Sequence, residues 1–194
     1  QRAVITNLSP NHLDVHKDMD EYIEAKKNVY KFQNETGLLV VNADNAITAP
    51  LLGNGETRYF SRQIRPENGT YLENGTIFRV KNGVSEAVMP METILLPGIH
   101  NVENYMTAIA VTDGLVSDET IRHVAATFGG VEHRIELVRI KGGVRFYNDS
   151  IASSPSRTIA GLRSFPEQVI LIAGGYDKHI PFDVLGPEVC RHVK

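Results

Sequence analysis

Gly142-Gly143-Val144-Arg145-Phe146-Tyr147-Asn148-Asp149-Ser150, followed later by Val169-Ile170-Leu171-Ile172-Ala173-Gly174-Gly175-Tyr176-Asp177-Lys178, decides how the chain is read. Each is an apolar, strand-like run that ends in small and polar residues, the place where a parallel sheet presents its ligand-binding loops. Residues 156–165, between the two runs, read as a helix. Ser153, Ser154 and Pro155 introduce it, supplying capping hydroxyls and a first-turn proline. Strand, loop, helix, strand is a βαβ unit, and the chain reads as part of an α/β enzyme.

Working outward, residues 20–32 suit a helix, with Tyr22, Ala25, Val29 and Phe32 spaced for one buried face and Asp18 or Asp20 near its start. Leu38-Leu39-Val40-Val41-Asn42 reads as a buried strand, and residues 44–52 as a turn or short helix. Residues 57–60, 70–72, 76–80 and 85–88 are short strand candidates. Asn68-Gly69, Asn74-Gly75 and Asn82-Gly83 separate them and favour tight reversals, which predicts an antiparallel flap or side sheet. Two helices follow at 101–114, with Ala108, Ile109 and Val111 as core candidates, and at 117–128, where Asp118 and Glu119 stand near the positive end of the helix dipole. Gly129-Gly130 then breaks the pattern before an antiparallel pair at 136–140 and 144–147. The expected organisation is a first domain over 1–130 and the start of a second over 131–194. A strand opening at the second or third residue and a helix beginning over 182–194 lack neighbours at both ends, so the expectation is an internal piece of a longer enzyme.

Of the 194 residues, 42% are hydrophobic and 22% charged, with 20 basic against 23 acidic side chains and a formal charge of -3. That balance, with no basic run, argues against a nucleic-acid partner. The single cysteine, Cys190, excludes an internal disulfide framework. The longest apolar runs fall short of the roughly 20 residues that span a bilayer, and no secretory signal opens the chain, so no membrane partner and a cytoplasmic location are expected.

The candidate chemistry begins in the loop after the first strand, where His12 and Asp14 can ligate or orient a divalent cation. Lys26 lies on the following helix, beside Lys27 and Lys31, as either a functional cation or part of a solvated face. Asn101 and Asn104, three apart at a helix start, can turn both amides to one side and address a base or sugar edge; an ordinary cap plus a solvent-facing amide is the plainer reading. His133-Arg134, at the expected hinge, suits a phosphate through the arginine fork, or else a linker ion pair with Glu132 or Glu136. Asp149 can accept from ribose hydroxyls. Ser150, Ser153 and Ser154 lie where a helix start favours an anion, though ordinary capping accounts for them equally, and Lys178 is a compact cation at a strand's C-terminal end, suited to a carboxylate or else to its neighbour Asp177.

Together these stretches resemble the Mur ligase family, and within it the branch that adds D-glutamate, over about residues 4–182. The resemblance implies an incomplete central ATP-binding domain followed by the first part of a Rossmann-like C-terminal domain. It further implies an ADP-forming carboxylate-amine ligase of peptidoglycan synthesis, hence of cell-wall biogenesis, cell shape and cell division. Its small-molecule substrates would be ATP, UDP-N-acetylmuramoyl-L-alanine and D-glutamate, its metal Mg2+, and its state a monomer. By the same resemblance His12 is a magnesium ligand, Lys26 is carbamylated and faces the metal, and Asn101 and Asn104 hold the adenine. His133 and Arg134 reach the phosphates, Asp149 holds the ribose, and Lys178 and Ser153 meet the incoming D-glutamate.

Two departures from the family pattern stand out. Where the family carries Asn-Asp-Ser-Lys-Ala-Thr-Asn, this chain has Asn148-Asp149-Ser150-Ile151-Ala152-Ser153-Ser154, so the lysine's charge is absent or supplied by a residue such as Arg157. No Gly-x-x-x-x-Gly-Lys-Ser/Thr loop occurs in the 194 residues; in the family it would precede Gln1. The alternatives are a nucleotide-binding module without catalysis, and a Mur-type or folate-type ligase for another amino acid.

Overall fold

The computed structural model describes residues 1–10, 15–176 and 181–194, which form two compact units. The first comprises residues 1–95 and 101–127, the second residues 96–100 and 128–194.

The first unit is built on one six-stranded sheet in sequential order: β1 (Arg2–Ile5), β2 (Leu38–Asn42), β3 (Glu56–Ser61), β4 (Gly69–Glu73), β5 (Thr76–Lys81) and β6 (Val84–Pro90). β1 through β4 run parallel, and β4 through β6 pair antiparallel. The short strands expected after residue 56 are all present, but β3 and β4 pair parallel, so Asn68-Gly69 is not the tight reversal expected there, and the antiparallel part begins at β4. Asn74 and Asn82 take positive φ beside Gly75 and Gly83, the left-handed pairs that two-residue hairpins require. At Gly69 (φ 133°) the chain lies so close to the Tyr59 carbonyl that only a residue without a side chain fits the parallel pairing of Tyr59 with Gly69.

β2 is buried along its whole length. Leu39 and Val41 join Ala3, Ile5, Leu8, Tyr22, Tyr30 and Leu51 in one apolar cluster, while Val40, on the opposite face by strand alternation, is equally inaccessible. α1 is shorter than expected, Met19–Lys27, capped by Asp18 accepting from the Glu21 N–H at 2.9 Å. Of the expected buried face Tyr22 is buried, but Ala25, Val29 and Phe32 are exposed, and Tyr30 joins Tyr22 in covering the sheet. The helix ends at Lys27, so the 3.6-residue spacing that would align Val29 and Phe32 no longer applies.

α2 (Ile99–Thr112) and α3 (Asp118–Thr127) complete this unit, burying Val102, Met106, Ile109 and Ala110, and Ile121 and Ala125. Of the expected α2 core residues Ile109 is buried, Val111 half-buried and Ala108 exposed, the apolar stripe being offset from the one expected. Thr70 Oγ1 donates to the Met106 carbonyl at 2.9 Å, tying α2 to β4. Asp113 bridges Arg58 (2.8 Å) and Arg79 (3.0 Å), and Arg79 also meets Asp118 at 2.6 Å.

In the second unit β7 (Glu136–Lys141) and β8 (Val144–Asn148) form an antiparallel hairpin turned at Gly142-Gly143, both with positive φ. α4 (Pro155–Leu162) and α5 (Gly186–His192) follow. The expected βαβ unit from β8 through α4 is corrected. β8 pairs with β7, residues 170–176 form no ladder, and the run's single bridge is a parallel one from Val169 to Val193, on the far side of α5. Strand composition does not suffice without a partner for the backbone amides.

Candidate functional site

In the first unit, polar side chains gather at the carboxyl ends of the parallel strands, where open α/β sheets bind ligands. Asn42, closing β2, donates to Asn7 Oδ1 at 3.0 Å and accepts from the Asp44 N–H at 2.8 Å. Thr48 Oγ1 donates to the Asn42 carbonyl at 2.7 Å, and Asn45 donates to the Leu8 carbonyl at 3.0 Å. Asp44 accepts from Ser61 Oγ and from the Arg62 N–H at 2.7 Å, and the Arg62 guanidinium continues to Glu103 at 2.6 Å. Sequence reasoning passed over Asn42, Asp44 and Ser61. The available signal was position, since Asn42 and Ser61 close β2 and β3 and Asp44 lies just after β2. Their hydrogen bonds are mutually satisfied, so the cluster holds the loops that frame the sheet's edge.

Lys26 is exposed near the end of α1, with its Nζ 5.3 Å from the centre of the Tyr22 ring, which in turn packs on His16. His12 and Asp14 lie outside the described residues. Among the described residues no group of three His, Cys, Asp or Glu stands where it could hold a metal ion. On α2, Asn101 is buried and Asn104 exposed, and the Asn104 amide donates to Asn101 Oδ1 at 3.2 Å. The two amides thus face each other one turn apart.

The second unit assembles its own group around Asp149. The residue follows β8, and its Oδ1 accepts the Ile135 N–H at 3.1 Å. Gly161 on α4 leaves room for the carboxylate: a Cβ there would stand 2.8 Å from Asp149 Oδ2. Burial pushes the Asp149 carboxyl up from its ordinary value, opposed by the Ile135 N–H and by the positive charges of Arg134, His100 and Arg157. His100, at the start of α2, folds over Gly98 (φ 97°), and its Nδ1 is buried without a hydrogen-bond partner among the described residues. Burial and the nearby Arg134 push this imidazole toward the neutral form, against the opposing pull of Asp149.

His133 takes φ 65°, its N–H donates to Glu136 at 2.8 Å, and its ring Nδ1 lies 2.8 Å from the Asn148 amide. Arg134 next to it is exposed. Ser153 is exposed, its N–H bonded to the Ile151 carbonyl at 2.9 Å, and Ser154 is the buried N-cap of α4, followed by Pro155. Lys178 lies outside the described residues. The structure therefore brings His100, Arg134 and Asp149 into one electrostatic group, of which His100 was not singled out in the sequence. A histidine beside a glycine in a helix start carries no distinctive pattern, and its partners lie more than thirty positions away in the chain. No helix among the described residues is long and apolar enough to cross a membrane.

Residues 1–112 match the family model described as the Mur ligase middle domain. The chain is 53% identical over 194 residues to UDP-N-acetylmuramoylalanine–D-glutamate ligase of Acetivibrio thermocellus, covering 99% of this chain and 42% of the relative. The enzyme of the same name from Clostridium novyi is 53% identical over 188 residues, covering 96% and 40%. The chain thus spans less than half the length of the curated relatives it matches. Among solved structures, MurF from Acinetobacter baumannii superposes with a TM-score of 0.65 at 20% identity, over 84% of this chain and 36% of that one. MurC from Thermotoga maritima does so at 0.57 and 20%, over 84% and 37%. At that identity the likeness is one of fold, a mixed α/β architecture with a central sheet.

Proposed function

The chain belongs to the Mur ligase family, and on that premise we propose that it is part of an ATP-dependent, ADP-forming ligase that adds D-glutamate to UDP-N-acetylmuramoyl-L-alanine. The observation that carries this reading is the 53% identity maintained over 99% of the chain with relatives of that name. Residues 1–130 would serve as the central nucleotide-handling domain and residues 131–194 as the start of the amino-acid-binding domain, in a monomeric cytoplasmic enzyme of cell-wall synthesis.

In this reading Asn101 and Asn104 address the adenine, Asp149 accepts from the ribose hydroxyls, and Arg134, with His133 beside it, engages phosphoryl oxygens. The half-buried carboxylate of Asp149 and the exposed guanidinium of Arg134 are suited to a sugar hydroxyl and an oxyanion respectively. The γ-phosphoryl group of ATP passes to the alanine carboxylate, giving an acyl phosphate and ADP. The D-glutamate amine attacks the acyl carbon, the carbon–oxygen bond to phosphate breaks, and an amide remains. Lys178 and Ser153 would hold the D-glutamate. A carbamylated Lys26 would offer a carboxylate, the oxygen donor that suits Mg2+, and the family resemblance adds His12 as a further ligand; the metal, when bound, would offset charge on the phosphoryl oxygens.

Phosphate release by the full-length protein, given ATP and the UDP-sugar, is expected to depend on D-glutamate. Lys178→Ala should raise the KM for D-glutamate, by a factor corresponding to roughly 2 to 5 kcal/mol, while leaving ATP binding intact. Unchanged KM and turnover would remove Lys178 from the site. Binding of ATP without binding of the UDP-sugar would identify a nucleotide module in place of a ligase.

A further inference from the structure

Two arginines in the second unit reach the same short turn from separate elements. The segment 133–135 is fastened to the turn at 149–151 on both sides of Arg134: the Ile135 N–H donates to Asp149 Oδ1 at 3.1 Å, and the Ile151 N–H donates to the His133 carbonyl at 3.3 Å. Both flanking residues take left-handed backbone, His133 at φ 65° and Ile135 at φ 47°, a conformation costly for a β-branched residue and stabilised here by those ties. From α4, Arg157 Nη1 donates to the Ile151 carbonyl at 3.3 Å. Arg134 and Arg157 are both exposed, and among the described residues neither is within ion-pair distance of a carboxylate.

We infer that Arg157 is a second oxyanion-binding arginine, which with Arg134 brackets the 149–151 turn and supplies the positive charge that Ile151 cannot. The inference rests on the ligase reading proposed above. Two guanidinium groups face one carboxylate, that of Asp149, which is already engaged by the Ile135 N–H. Glu136, beside Arg134, is likewise engaged by the His133 N–H at 2.8 Å, and on the Arg157 side no carboxylate among the described residues meets the guanidinium, so its charge is open to an incoming oxyanion. Among the described residues Arg157 makes one side-chain hydrogen bond, to a carbonyl, leaving most of its fork of N–H donors available to a phosphoryl group or a carboxylate. That one bond is to residue 151 itself. It holds the guanidinium at the backbone of a position whose own side chain, isoleucine, is apolar and 47% exposed. A lysine at 151 and an arginine at 157 are thus alternative ways to place a cation over the same turn.

The experiment uses the full-length protein with Arg157→Ala, Arg157→Lys and the double variant Ile151→Lys/Arg157→Ala. Calorimetry with ADP and with adenosine is combined with the KM for D-glutamate. If the oxyanion is a phosphoryl group, Arg157→Ala weakens ADP about tenfold or more and leaves adenosine unchanged. If it is the amino-acid carboxylate, the D-glutamate KM rises by a similar factor and ADP affinity holds. In either case Ile151→Lys restores most of the loss and Arg157→Lys retains part of it. Unchanged ADP affinity and unchanged KM in Arg157→Ala overturn the inference. So does a loss that tracks a lowered melting temperature and is not restored by Ile151→Lys. A wild-type protein that neither binds ADP nor releases phosphate in the presence of D-glutamate overturns the ligase reading itself, and this inference with it.

Discussion

Leu38–Asn42 and residues 169–173 have nearly the same composition and opposite fates. The first, Leu-Leu-Val-Val-Asn, is a central strand with parallel neighbours on both edges and apolar cover on both faces. The second, Val-Ile-Leu-Ile-Ala, makes one bridge at its first residue and leaves Ile170 and Ile172 79% and 95% exposed. Apolar β-branched residues express a preference for a pleated, covered surface. Only a flanking strand can satisfy the amides and only a packed helix or second layer can cover the side chains. β2 has both, since β1 and β3 flank it and Tyr22 and Tyr30 close over Leu39 and Val41.

The sharpest way to break that contrast is to truncate one side chain in each region. Leu39→Ala should cost about 2 to 5 kcal/mol, since Leu39 is fully inaccessible within its cluster and its removal leaves a cavity. Ile172→Ala should change stability by no more than about 0.5 kcal/mol. Urea unfolding of the two variants decides the matter. Equal losses would mean that residues 169–173 are packed in solution as β2 is, and the contrast would fail.

The same contrast explains what could be read from the sequence. The α2 and α3 helices, the β7–β8 hairpin around Gly142-Gly143 and the hairpins at Asn74-Gly75 and Asn82-Gly83 were legible because their signals are local: a cap, a left-handed turn, an alternation. The parallel pairing of β3 was not, because Thr57 to Phe60 carries no mark of which neighbour it will meet. The true buried face of α1 was hidden for a related reason. Nothing in the spacing of Val29 and Phe32 announces that the helix stops at Lys27. In the candidate site, Arg134 and Asp149 stood out as charged residues at element boundaries, whereas Asp44, Ser61 and His100 acquire their surroundings only from tertiary contact.

A change of intermediate size sharpens the comparison from the side of charge. In the first unit Asp113 serves two largely buried arginines, Arg58 and Arg79, whose side chains are 13% and 18% exposed. Asp113→Ala leaves both without that carboxylate, although Glu56 still faces Arg58 and Asp118 still faces Arg79. The expected loss is about 1 to 3 kcal/mol, the cost of an under-satisfied buried group. Asp113→Asn should recover part of it. A loss near zero in thermal unfolding would show that Glu56 and Asp118 suffice for the two arginines and that the end of α2 is held without Asp113.

The smallest expected effect belongs to the second unit, which is clasped at Glu188 on α5. This carboxylate is buried, accepts from Arg163 at 2.9 and 2.8 Å and from Arg191 at 3.2 Å, and stands 3.4 Å from His192. The arginine heads are mostly in water, at 56% and 67% exposure, so solvent competes with the clasp and its effect on stability stays modest. The Arg163 hydrogen bonds come first, and with the charges of Arg163, Arg191 and His192 they hold the Glu188 carboxyl down at about 2, against an ordinary value of 4.5. In the unfolded chain the group takes up a proton near 4.5; in the folded one it resists until about 2. Its contribution is therefore complete above 4.5, declines as the pH falls through that window, and is lost below about 2. A carboxyl-carbon NMR titration should give a Glu188 midpoint near 2, moving up toward 4.5 in Arg163→Ala. A wild-type midpoint at the ordinary value would mean that the clasp is open in solution, leaving the second unit with even fewer fixed contacts than its exposed strand run implies.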